Sequence, residues 1–174
     1  DVFRRQRALF TLTLLLGAAC WTIGNLRWSL GAAITDVVAV WLAFLVLTIA
    51  GERLELTRFL PPSSVASRVF AGILVVIGAG LLDASSAAGI ALFAAGLLAL
   101  SVWLLKQDIA RRTIRTTGLP RFVAACVLSG YAWLAIGAVT MLTSGFAAGS
   151  RSYDAAIHAA ALGFVFAMVF AHAP

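Results

Sequence analysis

Apolar residues fall into six long runs, near 8–26, 33–50, 66–82, 87–105, 122–144 and 153–173. Each run is close to the roughly 20 residues that a helix needs to cross a bilayer. None shows the alternating segments of about ten residues that mark a membrane strand. In lipid, a helix satisfies all its backbone groups within one segment, which an isolated strand cannot do. The pattern therefore predicts an all-α polytopic transmembrane helix bundle of about six spans, with residues 1–174 forming a single domain. Asp83-Ala84-Ser85-Ser86 marks a tight turn between the third and fourth spans. Pro61-Pro62-Ser63-Ser64 and Gly118-Leu119-Pro120 break the chain ahead of the third and fifth. The chain opens on Asp1 and stops at Pro174 directly after an apolar run, so it reads as part of a longer one.

Composition sharpens this picture. Of 174 residues, 62% are hydrophobic and 11% charged, and the mean hydropathy is +1.01. Soluble domains carry about 25% charged residues. A chain this apolar could not cover itself with polar surface in water, which excludes a soluble catalytic or nucleotide-binding domain. The two cysteines, Cys20 and Cys126, lie far apart in apolar runs and read as small buried hydrophobes. No Walker loop, GxSxG, HExxH or CaaX pattern occurs in a supporting context, so the balance leans away from an enzyme.

The net charge of +6 is explained by membrane topology, not by nucleic acid, because no basic helix or aromatic platform lies outside the apolar runs. Arg4, Arg5 and Arg7, then Arg53, Arg58 and Arg68, then Lys106, Arg111, Arg112, Arg115 and Arg121 all fall on one side of a six-span map. Only Arg27 and Arg151 fall on the other, so eleven of the 13 cations share a side. The positive-inside rule makes that side cytoplasmic, together with both ends of the chain. The expected location is the bacterial inner membrane, with the lipid bilayer as the first partner and no nucleic acid.

The sixth span holds both histidines, His158 and His172, 14 positions apart. On an ideal α-helix that spacing leaves the two rings about 40° apart around the axis and about 21 Å apart along it. One imidazole is then expected near each membrane face, on a shared side of the helix. Beside them run Ala155, Ala159, Gly163, Ala167 and Ala171, a small residue at every fourth position. Such a stripe admits a neighbouring helix or a flat cofactor close to the backbone. Neutral imidazole ligates haem iron well. Met168, four residues before His172, is a candidate soft ligand for copper. The expected cofactor-binding set is His158, His172 and Gly163, and the expected metal set is His158, His172 and Met168.

This arrangement resembles the core of membrane cytochromes b, in which one helix gives an axial ligand to each of two haems. A bis-His site needs two further histidines, which the resemblance assigns to a second copy, another subunit or further helices; otherwise haem b is five-coordinate. The run from His158 through Gly163, Met168 and His172 to Pro174, with weak support from Gly51-Glu52-Arg53-Leu54-Glu55-Leu56, is similar to bacterial multi-span membrane proteins of the NnrS type. That resemblance covers about a third of the chain. It implies a haem- or copper-containing membrane protein linked to nitric oxide metabolism.

Two carboxylates stand apart from this site. Asp36 lies about three residues into the second span, and Glu52 lies at its other end, so together they mark a possible proton or ion path. At so shallow a depth Asp36 also suits the positive end of the helix dipole, as does Asp154 at the start of the sixth span. Glu55 and Arg58 are spaced to pair on one helix face. Tyr131 and Trp133 read as packing residues of the fifth span. The preferred reading is a haem- or copper-associated redox protein. The alternatives are a cofactor-free transporter or permease-like protein, with Asp36 and Glu52 lining a path, and a structural subunit of a membrane complex.

Overall fold

The computed structural model describes residues 2–56 and 63–173, with side chains described from position 9 onward. The chain forms α1 (Val2–Ser29), α2 (Ile34–Leu56), α3 (Ser64–Leu82), α4 (Ala87–Gln107), a one-turn α5 (Ala110–Thr113) and α6 (Leu119–Ser144). The last span runs Arg151–His172. It consists of α7 (Arg151–His158), a π-helical segment (Ala159–Val165) and α8 (Phe166–His172). Among the described residues six helices are long and apolar enough to cross a membrane, and the protein is an all-α membrane bundle. Arg58, Pro61, Pro62 and Pro174 lie outside the described residues, and with them the Glu55–Arg58 pairing; of Arg4, Arg5 and Arg7 only the backbone is described.

Several helix ends have a local cause. Ser63, Ser86 and Ser150 cap α3, α4 and α7, accepting hydrogen bonds from the backbone N–H groups of Ala66, Gly89 and Tyr153. Gly118 precedes α6 at φ +69°, a conformation open to glycine, and Pro120 sits in the first turn, where its missing N–H costs nothing. α2 continues to Leu56, six residues past its apolar run, because Glu52, Arg53 and Leu54 extend the helix beyond the hydrophobic layer. Inside the spans, the hydroxyls of Thr13, Thr22, Thr48, Thr140 and Thr143 donate to carbonyls four residues back, so none is left unpaired in lipid.

Packing follows the chain order. α1 and α2 form one antiparallel pair, α3 and α4 another, and α6 packs against both α4 and the last span. The core draws Leu42, Val46 and Leu47 from α2, Phe70 and Ile77 from α3, Phe93, Leu97 and Leu100 from α4, Leu134 from α6 and Phe164 from the last span. Leu15, Trp21, Ile23 and Leu26 of α1 face outward, as apolar side chains do where lipid is the solvent.

The α3–α4 hairpin is the tightest contact. Added Cβ atoms at Gly80 and Gly89 would collide with the main chains of Phe93 and Asp83, whereas Gly78 has nothing within 4 Å. Gly89→Ala is expected to destabilise the fold by about 1–3 kcal/mol. Gly78→Ala, in open helix, should be neutral or stabilise it by up to about 1 kcal/mol. Thermal unfolding of the two variants in detergent checks this; equal melting temperatures would refute the close approach.

Candidate functional site

The last span carries both histidines. The π segment between them, Ala159–Val165, changes their relation. A π segment of this kind admits one extra residue into the helix, which rotates everything beyond it by about 100°. The separation of His158 and His172 around the axis becomes about 140° rather than the 40° of an unbroken α-helix. The two imidazoles do not share a face, which corrects the expectation drawn from the sequence. The same rotation explains how small residues at every fourth position stay together. From Ala155 to Ala171 they would wind about 160° around an ideal α-helix, and the π segment removes most of that drift.

The small residues mate with α6. Gly130 of α6 meets Ala167 and Met168, and Gly137 meets Ala159 and Ala160. Gly163 is covered by an indole: an added Cβ would lie 2.5 Å from Cγ of Trp133. The flat group nearest the Gly163 backbone is therefore Trp133 itself. Met168 is 3% exposed and points into the core against Gly130, whereas the His172 side chain lies at the surface. The His172 Nδ1–H donates to the Met168 main-chain carbonyl at 2.7 Å. Met168 is a packing residue, and the pair expected for copper is not assembled.

His158 has different surroundings. It lines a groove of about 460 Å³ between α6 and the last span, with Cys126, Ser129, Trp133, Leu162 and Phe170 among the walls. The groove opens on the outer surface of the bundle, and its lining is mostly apolar. The His158 Nδ1 lies 2.8 Å from the Asp154 main-chain carbonyl and 3.3 Å from its carboxylate. A carbonyl can only accept, so Nδ1 carries a proton, and in the neutral imidazole Nε2 then keeps its lone pair. Nε2 makes no hydrogen bond among the described residues. At seven residues into the span, His158 sits about 10 Å below its start.

The carboxylates proposed for a path are not brought together. Asp36 lies in the first turn of α2 and lines a polar cavity with Arg27. Glu52 is exposed at the opposite end, 16 residues or about 24 Å away along the helix. Between them the buried residues of α2 are Val37, Ala39, Val40, Leu42, Ala43, Val46, Leu47, Ala50 and Gly51, all without polar side chains.

The strongest polar constellation was not visible in the sequence. Arg53 in the last turn of α2, Asp108 directly after α4 and Tyr131 in α6 meet at the cation-rich end of the bundle. Arg53 Nε and Nη2 donate to the two Asp108 oxygens at 2.7 and 2.8 Å. The Tyr131 hydroxyl donates to Oδ2 at 2.5 Å, and the Ala110 N–H to Oδ1 at 2.8 Å. Four donors thus fill the lone pairs of one buried carboxylate. Asp108 is 6% exposed, Arg53 6% and Tyr131 0%. The Tyr131 side chain leans toward the N-terminus of α6, as helical side chains do, and so reaches Asp108. Ser101 of α4 adds a hydrogen bond to the Tyr131 carbonyl at 2.8 Å. With every group satisfied, this cluster ties α2, α4 and α6 together and offers no open valence for chemistry.

Among the described residues, no group of three or more His, Cys, Asp or Glu could hold a metal ion. Two metal-ligating side chains line the groove, His158 and Cys126. Over its full length, residues 1–174, the chain matches the family described as "Domain of unknown function (DUF8744)", and it belongs to that family. No curated protein and no solved structure matches it.

Proposed function

We propose that this DUF8744 chain is a multi-pass protein of the bacterial inner membrane that carries haem b on His158. The observation behind this reading is the His158 imidazole, with its Nδ1 proton donated to the helix backbone and its Nε2 unpartnered, in an apolar groove. A donated Nδ1–H is the usual outer support of a metal-bound histidine, because it fixes the tautomer and the ring orientation. The mostly apolar lining, with His158 and Cys126 as its metal-ligating side chains, suits one axially held haem better than copper, for which no group of three or more His, Cys, Asp or Glu gathers among the described residues. Bound there, haem would supply one-electron exchange or binding of a diatomic gas such as nitric oxide at its open position.

The chain's own residues have defined parts in this reading. Asp154 holds the His158 ring through its carbonyl, Trp133 closes the groove over Gly163, and Leu162 and Phe170 keep water from its walls. A sixth ligand, where one is used, comes from a second copy, another subunit or further helices. His172 lies outside the groove and is not needed for this site. The test is the visible absorbance of the purified full-length protein, in which a Soret band is expected and a colourless, iron-free preparation would overturn the reading.

In the same reading the N-terminus is cytoplasmic, supported by the eleven-to-two division of cations. In a background lacking Cys20 and Cys126, a membrane-impermeant thiol reagent applied from the periplasm should label Arg151→Cys and spare Arg112→Cys. The reverse pattern would overturn the orientation.

A further inference from the structure

At the end of the bundle opposite the Arg53–Asp108 cluster lies a second cavity, of about 390 Å³. Four stretches of chain build it: the end of α1 through Arg27, the start of α2 through Thr35 and Asp36, the α3–α4 turn through Ser85, and the loop before the last span through Phe146. Ile90 of α4 adds an apolar wall. This volume holds many times one water molecule's share of the liquid, about 30 Å³.

Its chemistry is specific. The side chains of Arg27, Thr35 and Asp36 make no hydrogen bond or ion pair among the described residues. Arg27 is not one of a crowd of flanking cations, because the six-span map leaves only Arg151 besides it at this end. One guanidinium and one carboxylate thus line the same small space without pairing to each other. A simple anion entering it meets Asp36, and a simple cation meets Arg27. A ligand with both signs satisfies both, its oxyanion accepting from the guanidinium and its ammonium donating to the carboxylate and the Thr35 hydroxyl. Phe146, packed at a tilt against Tyr153 with ring centroids 4.6 Å apart, gives an apolar wall for the carbon skeleton between the charges.

We propose that this cavity binds a small zwitterion bearing a primary ammonium and an oxyanion, chemistry shared by a free amino acid and a phosphoethanolamine headgroup. The site is independent of His158 and of any haem. The experiment is the thermal unfolding of the full chain in detergent with glycine, glutamine or phosphoethanolamine. Acetate and ethylamine at the same concentration and ionic strength are the single-charge controls. A zwitterion at about ten times its Kd should raise the melting temperature by about 3 °C or more, and the controls should not. A larger shift with the amino acids assigns a free solute, and a larger shift with phosphoethanolamine assigns a lipid headgroup. Arg27→Gln and Asp36→Asn, both at exposed positions, should keep the unliganded melting temperature and each abolish the shift. Shifts no greater than those of the single-charge controls, or shifts retained in both variants, would overturn the proposal.

Discussion

Asp108→Ala should cost the folded bundle about 3–5 kcal/mol, the largest loss expected of any single substitution considered for this chain. The carboxylate accepts from Arg53 twice, from the Tyr131 hydroxyl and from the Ala110 N–H. Its removal leaves a buried guanidinium without a counter-charge and a buried phenol without an acceptor. The cost lies in what is stranded more than in the bonds lost, which makes two further outcomes informative. Tyr131→Phe removes one donor from a carboxylate that keeps three and should cost only about 1 kcal/mol. The double change Arg53→Met with Asp108→Leu removes both charges at similar volume and should recover most of the stability lost in Asp108→Ala. Thermal or denaturant unfolding in detergent reads all three. A double variant as unstable as Asp108→Ala would show that the cluster works by something other than charge pairing.

The six spans were legible because each apolar run is long and uninterrupted by interior proline, and several begin at a serine cap or a glycine. Where an end moved, as at Leu56 of α2, polar residues had continued a helix past the hydrophobic layer, and hydropathy does not register that. The Arg53–Asp108–Tyr131 cluster was hidden for a different reason. Arg53 resembles every other cation on its side. Asp108 sits in Lys106-Gln107-Asp108-Ile109-Ala110-Arg111-Arg112, which reads as a solvated connection. Their pairing spans 55 positions and depends on how α2 and α4 pack. One signal was present: Asp108 is the one acidic residue in a connection with five cations.

The π segment was also invisible as composition, since Ala-Ala-Ala-Leu-Gly-Phe-Val suits an α-helix equally well. The stripe of small residues held the clue. Small residues at a strict period of four from Ala155 to Ala171 cannot stay on one face of an α-helix, and a wider turn somewhere in the run brings them back together. His158 is one of the two histidines of the chain. Its separation from His172 and Met168 depends on the rotation that this wider turn introduces.

That separation gives the haem reading its sharpest form. If haem sits on His158 alone, His158→Ala should abolish nearly all of the haem absorbance, while His172→Ala, outside the groove, should leave it in place. Trp133→Ala opens the wall beside Gly163 and should shift or weaken the band without removing it. Equal loss from His158→Ala and His172→Ala would restore a shared site that the π segment separates. The most direct measurement comes before any variant: the visible spectrum and metal content of the full-length protein, purified from cells supplied with ample haem and copper. The account predicts a Soret band and iron bound in stoichiometric amount. A colourless preparation free of iron would contradict it.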